Sequence, residues 1–274
     1  MTYDFDLVGK IGSMALIDES SMDINYNIIS RISKELTPGC IWVTSGAVEV
    51  GRLDYISRNG KPLSGNDCDI KTDYAAQGQA ILMQSYRQFI NSRYSVRQIL
   101  VEHQHFNDEV KREHLKQTLL RCPEQKAIPI INYNDAVCSI ENMKLEISNL
   151  MKKKSKVVMG LDNDETASQI ACLVKTRILL ILSNVDGMLS DPKDSSSLIR
   201  EISGKDVYEV IDNITACQNF CDGTSRSGSN GAKVKLEYIK EPVKLGTKVY
   251  IANSRYSIKN ILEGTAPSTM IGVK

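Results

Sequence analysis

The chain has little of what marks several large function classes. Its 34 Lys and Arg almost match its 33 Asp and Glu, leaving a net charge of +1. No overall field therefore draws it to nucleic acid or to an anionic membrane, and its expected partners are small molecules or copies of itself. No apolar run reaches the length that spans a bilayer. The N-terminus, Met1-Thr2-Tyr3-Asp4-Phe5-Asp6, carries acid where a signal peptide carries Lys or Arg, so a cytoplasmic location is expected. The seven cysteines are odd in number and form no CxxC pair. Only Cys217 and Cys221 are close, and without a nearby His they make a poor zinc site; reduced, structural thiols are expected. No GxxxxGK[ST] loop occurs and no GxGxxG follows a strand, which removes support for P-loop and Rossmann readings. There is no internal repeat and no low-complexity tract.

What is present is an alternation of short apolar runs and longer helical patterns. Phe5 to Val8, Cys40 to Val43, Val96 to Val101, Ala127 to Ile131, Ile178 to Leu182 and Lys248 to Ile251 read as strands. Between them, Ile24 to Leu36, Thr72 to Asn91, Asn107 to Arg121, Asp164 to Lys175, Asp206 to Asn213 and Ala232 to Lys240 read as helices. Several strands are too continuously apolar to be half-exposed, which predicts a mostly parallel sheet with helices on both faces. Thr72 is the expected N-cap of its helix, and the small residues Ala75, Ala76 and Gly78 would let that helix pack closely. Arg58 to Asp69, with Gly60, Pro62 and Gly65, reads as a mobile loop. A modest break after Lys175 divides an N-terminal lobe, about 1–176, from a smaller C-terminal lobe, about 177–274.

Two polar clusters follow β-rich runs: Asn132-Tyr133-Asn134-Asp135, and Asp162-Asn163-Asp164 after Gly160. Each is open to two readings, an Asn/Asp turn or a site for a charged small molecule and a metal-bound phosphate. Lys10-Ile11-Gly12-Ser13 and Thr44-Ser45-Gly46-Ala47 are strand-to-turn junctions with small residues. In an α/β sheet such junctions lie at the carboxyl ends of strands, where backbone N–H groups can face an anion. A third Gly/Ser-rich stretch, Gly223 to Gly231, runs into a helix bearing Lys233 and Lys235. That suits polyphosphate, and equally a flexible surface loop.

Taken in order, these pieces resemble the amino acid kinase family, in its glutamate kinase branch, over nearly the full length. They are Lys10 to Ser13; Val43 to Ala47 with Gly51 and Arg52; Ala75 to Gln79 with Leu82 and Met83; and Gln98 to Leu100. Pro129 to Asp135, Asp162 to Asp164, Val185-Asp186-Gly187, and Gly231 with Lys235-Leu236 complete the set. The resemblance implies a single three-layer αβα sandwich with a mostly parallel central sheet, ATP over the C-terminal lobe and an acidic acceptor, L-glutamate, over the N-terminal one. It assigns Lys10 and Lys235 to the transferring phosphoryl group and Asp164 to organising them, with helix capping as a second duty for Asp164. Ser45, Asp135 and Asn163 match the acceptor-binding residues, Asp135 receiving the α-ammonium while Ser45 and Asn163 donate to carboxylate oxygens. Lys10, Gly12, Ser13, Ser183, Asn184, Ser229, Asn230, Gly231 and Lys235 match the nucleotide site. Mg²⁺ is expected to sit mainly on phosphate oxygens and water, with no protein metal site. A homo-oligomer, dimer or tetramer, and feedback inhibition by proline are further implications.

The chain departs from the family pattern at several points. Ser183-Asn184 replaces Thr-Asp, Tyr133 replaces Glu, Glu165-Thr166 replaces Asn-Leu, and Asn230-Gly231-Ala232 replaces Gly-Gly-Met. The stretch from Ala136 to Val158 is longer than usual and carries Lys152-Lys153-Lys154-Ser155-Lys156. It reads as the solvated tip of a hairpin, or as an arm that covers the site or touches a neighbouring subunit. The C-terminal PUA domain of many relatives is not expected. These departures leave two alternatives beside a glutamate kinase: a paralogous kinase for another carboxylate or phosphate acceptor, and a regulatory amino-acid-binding module. His103, His105 and His114 need no catalytic role, because a carboxylate nucleophile is already ionised at neutral pH.

Overall fold

The computed structural model describes residues 2–18, 20–138, 140–152, 157–160, 162–191, 194, 196–218 and 231–274. Eight strands form one sheet: β1 (Phe5–Ile11), β2 (Cys40–Thr44), β3 (Ser95–Val101), β4 (Ala127–Tyr133), β5 (Thr176–Ser183), β6 (Glu201–Gly204), β7 (Lys248–Asn253) and β8 (Ser268–Val273). Their spatial order is β6-β8-β7-β5-β1-β2-β4-β3. From β7 across to β3 every neighbouring pair is parallel. The exception is the β7/β8 pair, which is antiparallel; β6 then runs alongside β8. β1 and β5 lie side by side in the centre, Lys10 opposite Ile181, so the sheet is continuous where the sequence shows its modest break.

Among the described residues the helices of five residues or more are α1 (Tyr26–Glu35), α2 (Ala47–Asn59), α3 (Asp67–Phe89), α4 (Glu109–Leu120), α5 (Ile140–Met151), α6 (Asn163–Leu173), α7 (Val207–Gln218), α8 (Ala232–Lys244) and α9 (Ile258–Leu262). Alternation along each strand sends side chains to two separate cores. Leu7, Ile11, Trp42, Ile130, Leu180 and Leu182 face α1, α2, α3 and α9. Val8, Ile41, Val43, Ile131, Leu179 and Ile181 face α4, α6, α7 and α8. This is the expected αβα sandwich. No helix among the described residues is long and apolar enough to cross a membrane.

Three local expectations are corrected. Thr72 does not cap α3: the helix starts six residues earlier, and Asn66 accepts from Cys68 N–H at 2.7 Å. An Asn followed by two acids in the first turn is the stronger start, since it satisfies an orphan donor and complements the helix dipole. The Arg58 to Asp69 loop shrinks accordingly to 60–66. The stretch from Ala136 to Val158 is not a hairpin, because it contains α5, whose Met143 and Ile147 are buried one turn apart against Tyr133. Of the basic run, 153–156 lie outside the described residues.

The expectation of close packing by small residues on α3 holds, and α2 is its partner. A Cβ on Gly78 would sit 1.9 Å from the carbonyl oxygen of Ala47, and one on Gly51 would sit 1.9 Å from that of Tyr74. The two helix backbones therefore touch, and α3 fixes the position of the first turn of α2. Gly78→Ala is expected to lower unfolding stability by about 1–3 kcal/mol, the usual cost of overpacking; an unchanged urea midpoint would rule out this backbone contact.

Candidate active site

In a parallel sheet the carboxyl ends of the strands share one edge, and ligands bind there. Lys10, Gly12 and Ser13 end β1, Ser45 follows β2, Asn132 to Asp135 end β4, and Ser183 and Asn184 end β5. Sequence-distant residues are thereby brought to one rim.

At its centre Asp164, in the first turn of α6, is bound by two lysines. Lys10 Nζ lies 2.7 Å from Oδ1, and Lys235 Nζ contacts Oδ2. Lys10 points from β1 toward the layer that holds α6 and α8, as its neighbour Val8 does, and Lys235 reaches in from the first turn of α8. Lys10 and Asp164 are buried, whereas the Lys235 side chain keeps 24% of its exposure. Burial pushes the Asp164 carboxyl up, but the two ammonium groups more than reverse this and hold it at about 2. Capping falls to a different residue than Asp164. Asp162 Oδ1 accepts from the N–H groups of Asp164 and Glu165, at 2.8 and 2.9 Å, which leaves the Asp164 side chain free for the lysines.

Next to this centre lies an amide network. Asn132 Oδ1 accepts from the Tyr133 N–H at 2.8 Å, and a backbone N–H can only donate, so that oxygen is identified. Asn163 must then present its NH₂, which donates to Asn132 Oδ1 at 2.9 Å and to Ser45 Oγ at 3.1 Å. Asn132 Nδ2 in turn donates to Gln79 Oε1 at 2.8 Å. Ser45 has accepted and retains its own proton to give. Asn163 Oδ1 is buried without a partner. Asn132 and Gln79 fall within the motifs quoted above, but nothing local in the sequence pointed to their pairing.

Ser13, Ser45, Asp135, Asp162 and Asn163 line a cavity of about 480 Å³, together with Gly46 to Glu49 of the α2 N-terminus and with Tyr133, Met143 and Lys144. Gly46 adopts φ +95 as the N-cap of α2, a left-handed conformation that suits glycine, and the first turn of the helix borders the cavity. Asp135 is open to water yet walled by protein, and this burial raises its carboxyl to about 6. No cation pairs with it among the described residues.

The remaining sequence-predicted positions lie on the β5 and α8 side. Gly231 caps α8 with no side-chain bond, and its carbonyl accepts from Lys235 N–H. A Cβ at Gly12 would sit 3.8 Å from Lys10 Nζ, so glycine leaves the space over that ammonium open. Asn184 is exposed, and its carbonyl accepts from Asn253 Nδ2 at 3.1 Å. The neighbouring Asp186 is taken up by Arg255 at 2.7 Å. Ser229 and Asn230 lie outside the described residues.

The structure is thus a three-layer αβα sandwich with two lysines gathered on one buried aspartate at the carboxyl edge of its central strands. The chain belongs to the amino acid kinase family, whose model matches residues 7–253. It is 30% identical over 280 residues to a glutamate 5-kinase of Clostridium perfringens (strain 13 / Type A), covering 98% of this chain and 95% of that one. It is 29% identical over 267 residues to a glutamate 5-kinase of Dictyoglomus turgidum (strain DSM 6724 / Z-1310), covering 94% of this chain but only 63% of the relative's length. Among solved structures, carbamate kinase from Giardia lamblia bound to AMP-PNP aligns with a TM-score of 0.59 at 17% identity, covering 98% of both chains. An isopentenyl phosphate kinase substrate complex aligns with a TM-score of 0.52 at 13% identity, over 98% of this chain and 100% of the other. These two structures show the shared fold.

The Asp164 site has a measurable acid limb. Its folded value lies below the ordinary 3.8, so its stabilisation is fully present above about pH 4 and is lost as pH falls toward about 2. The gap corresponds to about 2 kcal/mol. Asp164→Asn should remove that part of the pH dependence of urea unfolding. At pH 7 it should cost about 3–5 kcal/mol, because a buried ammonium is left unpaired.

Proposed function

We propose that the protein transfers the γ-phosphoryl group of ATP to the γ-carboxylate of L-glutamate, forming L-glutamyl 5-phosphate, the first step of proline biosynthesis. The observation that carries this reading is the adjacency of Asn163 and Asp164. One faces a pocket with a free carboxylate, and the other gathers two lysines. The N-terminal lobe, about 1–176, takes the acceptor and the smaller C-terminal lobe, about 177–274, the nucleotide. The likeness to glutamate 5-kinases supports the choice of acceptor.

Phosphoryl transfer needs positioning and charge stabilisation more than covalent help from the protein. In this reading Asp135 receives the α-ammonium. The Ser45 hydroxyl and the α2 N-terminus hold the γ-carboxylate; Asn163, whose NH₂ is already given to Ser45 and Asn132, orients Ser45 in place of the expected donation to a carboxylate oxygen. One γ-carboxylate oxygen attacks phosphorus; the bond from phosphorus to the ADP oxygen breaks, and its electron pair leaves with ADP. No proton moves, since the nucleophile is ionised already. Lys10 and Lys235 neutralise charge spreading over the transferring oxygens. Glycine at 12 would keep a side chain away from the Lys10 ammonium where a phosphate would bind. Gly231 and Lys235 would flank the polyphosphate, with Ser13, Ser183, Asn184, Ser229 and Asn230 around the nucleotide. Among the described residues no group of three or more His, Cys, Asp or Glu side chains is arranged to hold a metal. Bound Mg²⁺ would be held by phosphate oxygens and water, and would shield their charge.

A second reading, a different carboxylate acceptor, is favoured by Tyr133, which is buried beneath α5 and stands where the family resemblance leads one to expect Glu. A hydroxylamine trap with Mg-ATP separates the two readings. Hydroxamate should form with L-glutamate and not with aspartate or without acceptor, whereas indifference to glutamate would reject the proposal. Lys10→Ala should lower kcat by about 100- to 1000-fold. Because the ionised form of Asp135 binds the ammonium, kcat/KM for glutamate should fall as pH drops through about 6. Asp135→Asn should flatten that limb and raise KM.

A further inference from the structure

The longer segment, 136–158, brings a charge to the pocket that no motif pointed to. Met143 and Ile147 fix one side of α5 against Tyr133, and Glu146 Oε2 meets the buried His103 Nε2 at 2.9 Å. Lys144, next to Met143, lines the same cavity as Asp135, Ser45 and Asn163. Lys10 and Lys235 are occupied by Asp164. Among the described residues, by contrast, no opposite charge pairs with Lys144 or with Asp135. The cavity therefore offers one free cation and one free anion on separate elements, α5 and the end of β4. A ligand end with both charges, such as the carboxylate and ammonium of an α-amino acid, complements that pair.

We propose that Lys144 is a specificity-determining residue that receives the α-carboxylate of the acceptor while Asp135 receives its α-ammonium. The pocket would then select free α-amino acids over their α-amides. The assignment rests on the reading of the acceptor as glutamate. Lysine suits the role because its ammonium is a compact charge on a flexible stem that reaches across a pocket rim. It touches the end of the acceptor remote from the reacting oxygen, so it binds ground state and transition state alike. Its loss should appear in KM and not in kcat.

The test compares L-glutamate with its α-amide, L-isoglutamine, whose γ-carboxylate is intact, in the wild type, Lys144→Gln and Lys144→Arg. Lys144→Gln should raise KM for glutamate roughly tenfold or more, the scale of one charge-assisted hydrogen bond. Its kcat should stay within about twofold and its KM for the α-amide should be unchanged. Lys144→Arg should recover most of the loss, because it keeps the charge. Since Lys144 is exposed, the variants should keep the wild-type urea midpoint. A Lys144→Gln enzyme with wild-type KM, or with both KM values raised equally, overturns the assignment while leaving the glutamate kinase intact. A wild type that makes no hydroxamate from glutamate overturns the parent reading and this assignment with it.

Discussion

The site depends on one carboxylate. Asp164 holds the ammonium groups of Lys10 and Lys235 at its two oxygens. Two like charges would otherwise repel across a short distance, at about 4 kcal/mol for ~4 Å and an effective dielectric of ~20. One negative charge between two positive ones leaves a net positive centre that is stable when buried and still attractive to an anion. The arrangement also couples layers of the fold, since the lysines come from the central strand β1 and from α8, and the aspartate from α6. Burial of Lys10 and Asp164 keeps water from screening the centre, while partial exposure of Lys235 leaves an approach from the α8 side.

The N-terminus of α6 distributes several tasks over four consecutive residues. Asp162 caps the helix, Asn163 reaches Ser45 and Asn132, Asp164 binds the lysines, and Glu165 Oε1 accepts from Met159 N–H at 3.0 Å, tying down the chain that returns from α5. Successive residues on a helix point about 100° apart, so neighbours in sequence serve different sides of the site without competing. The α2 N-terminus supplies the opposite wall, held by glycines that let α2 and α3 meet backbone to backbone.

Much of this was legible in the sequence because it is written in local periodicity and in the order of motifs. The continuously apolar strands flanking Lys10 and preceding Ser45 and Asp135 specified a buried parallel sheet, and with it the shared edge where these residues meet. What escaped was set by contact between distant segments. The Asn163 to Asn132 and Asn132 to Gln79 bonds join residues 31 and 53 apart, and no spacing rule encodes them. The short edge strand β6 and its neighbour β8 are mixed in polarity. α2 carries Gly51 inside it, a poor helix former, and only its packing on α3 explains the choice. In the 136–158 segment the lysine run suggested a turn tip, whereas the Met143 and Ile147 pair, buried against Tyr133, makes the helix that carries Lys144 to the pocket. Acids cluster at 162 and 164, and only the fold shows which one caps and which one binds lysines.

The central claim is that the γ-carboxylate of glutamate is the nucleophile at phosphorus, and an isotope experiment tests it most directly. Glutamate labelled with ¹⁸O in the γ-carboxylate is incubated with Mg-ATP and the protein, and the product is cleaved with hydroxylamine, which attacks the acyl carbon. Inorganic phosphate carrying one ¹⁸O is expected, because the bridging oxygen comes from the carboxylate. Phosphate released without label, at the same rate with or without glutamate, would contradict it and show water to be the acceptor.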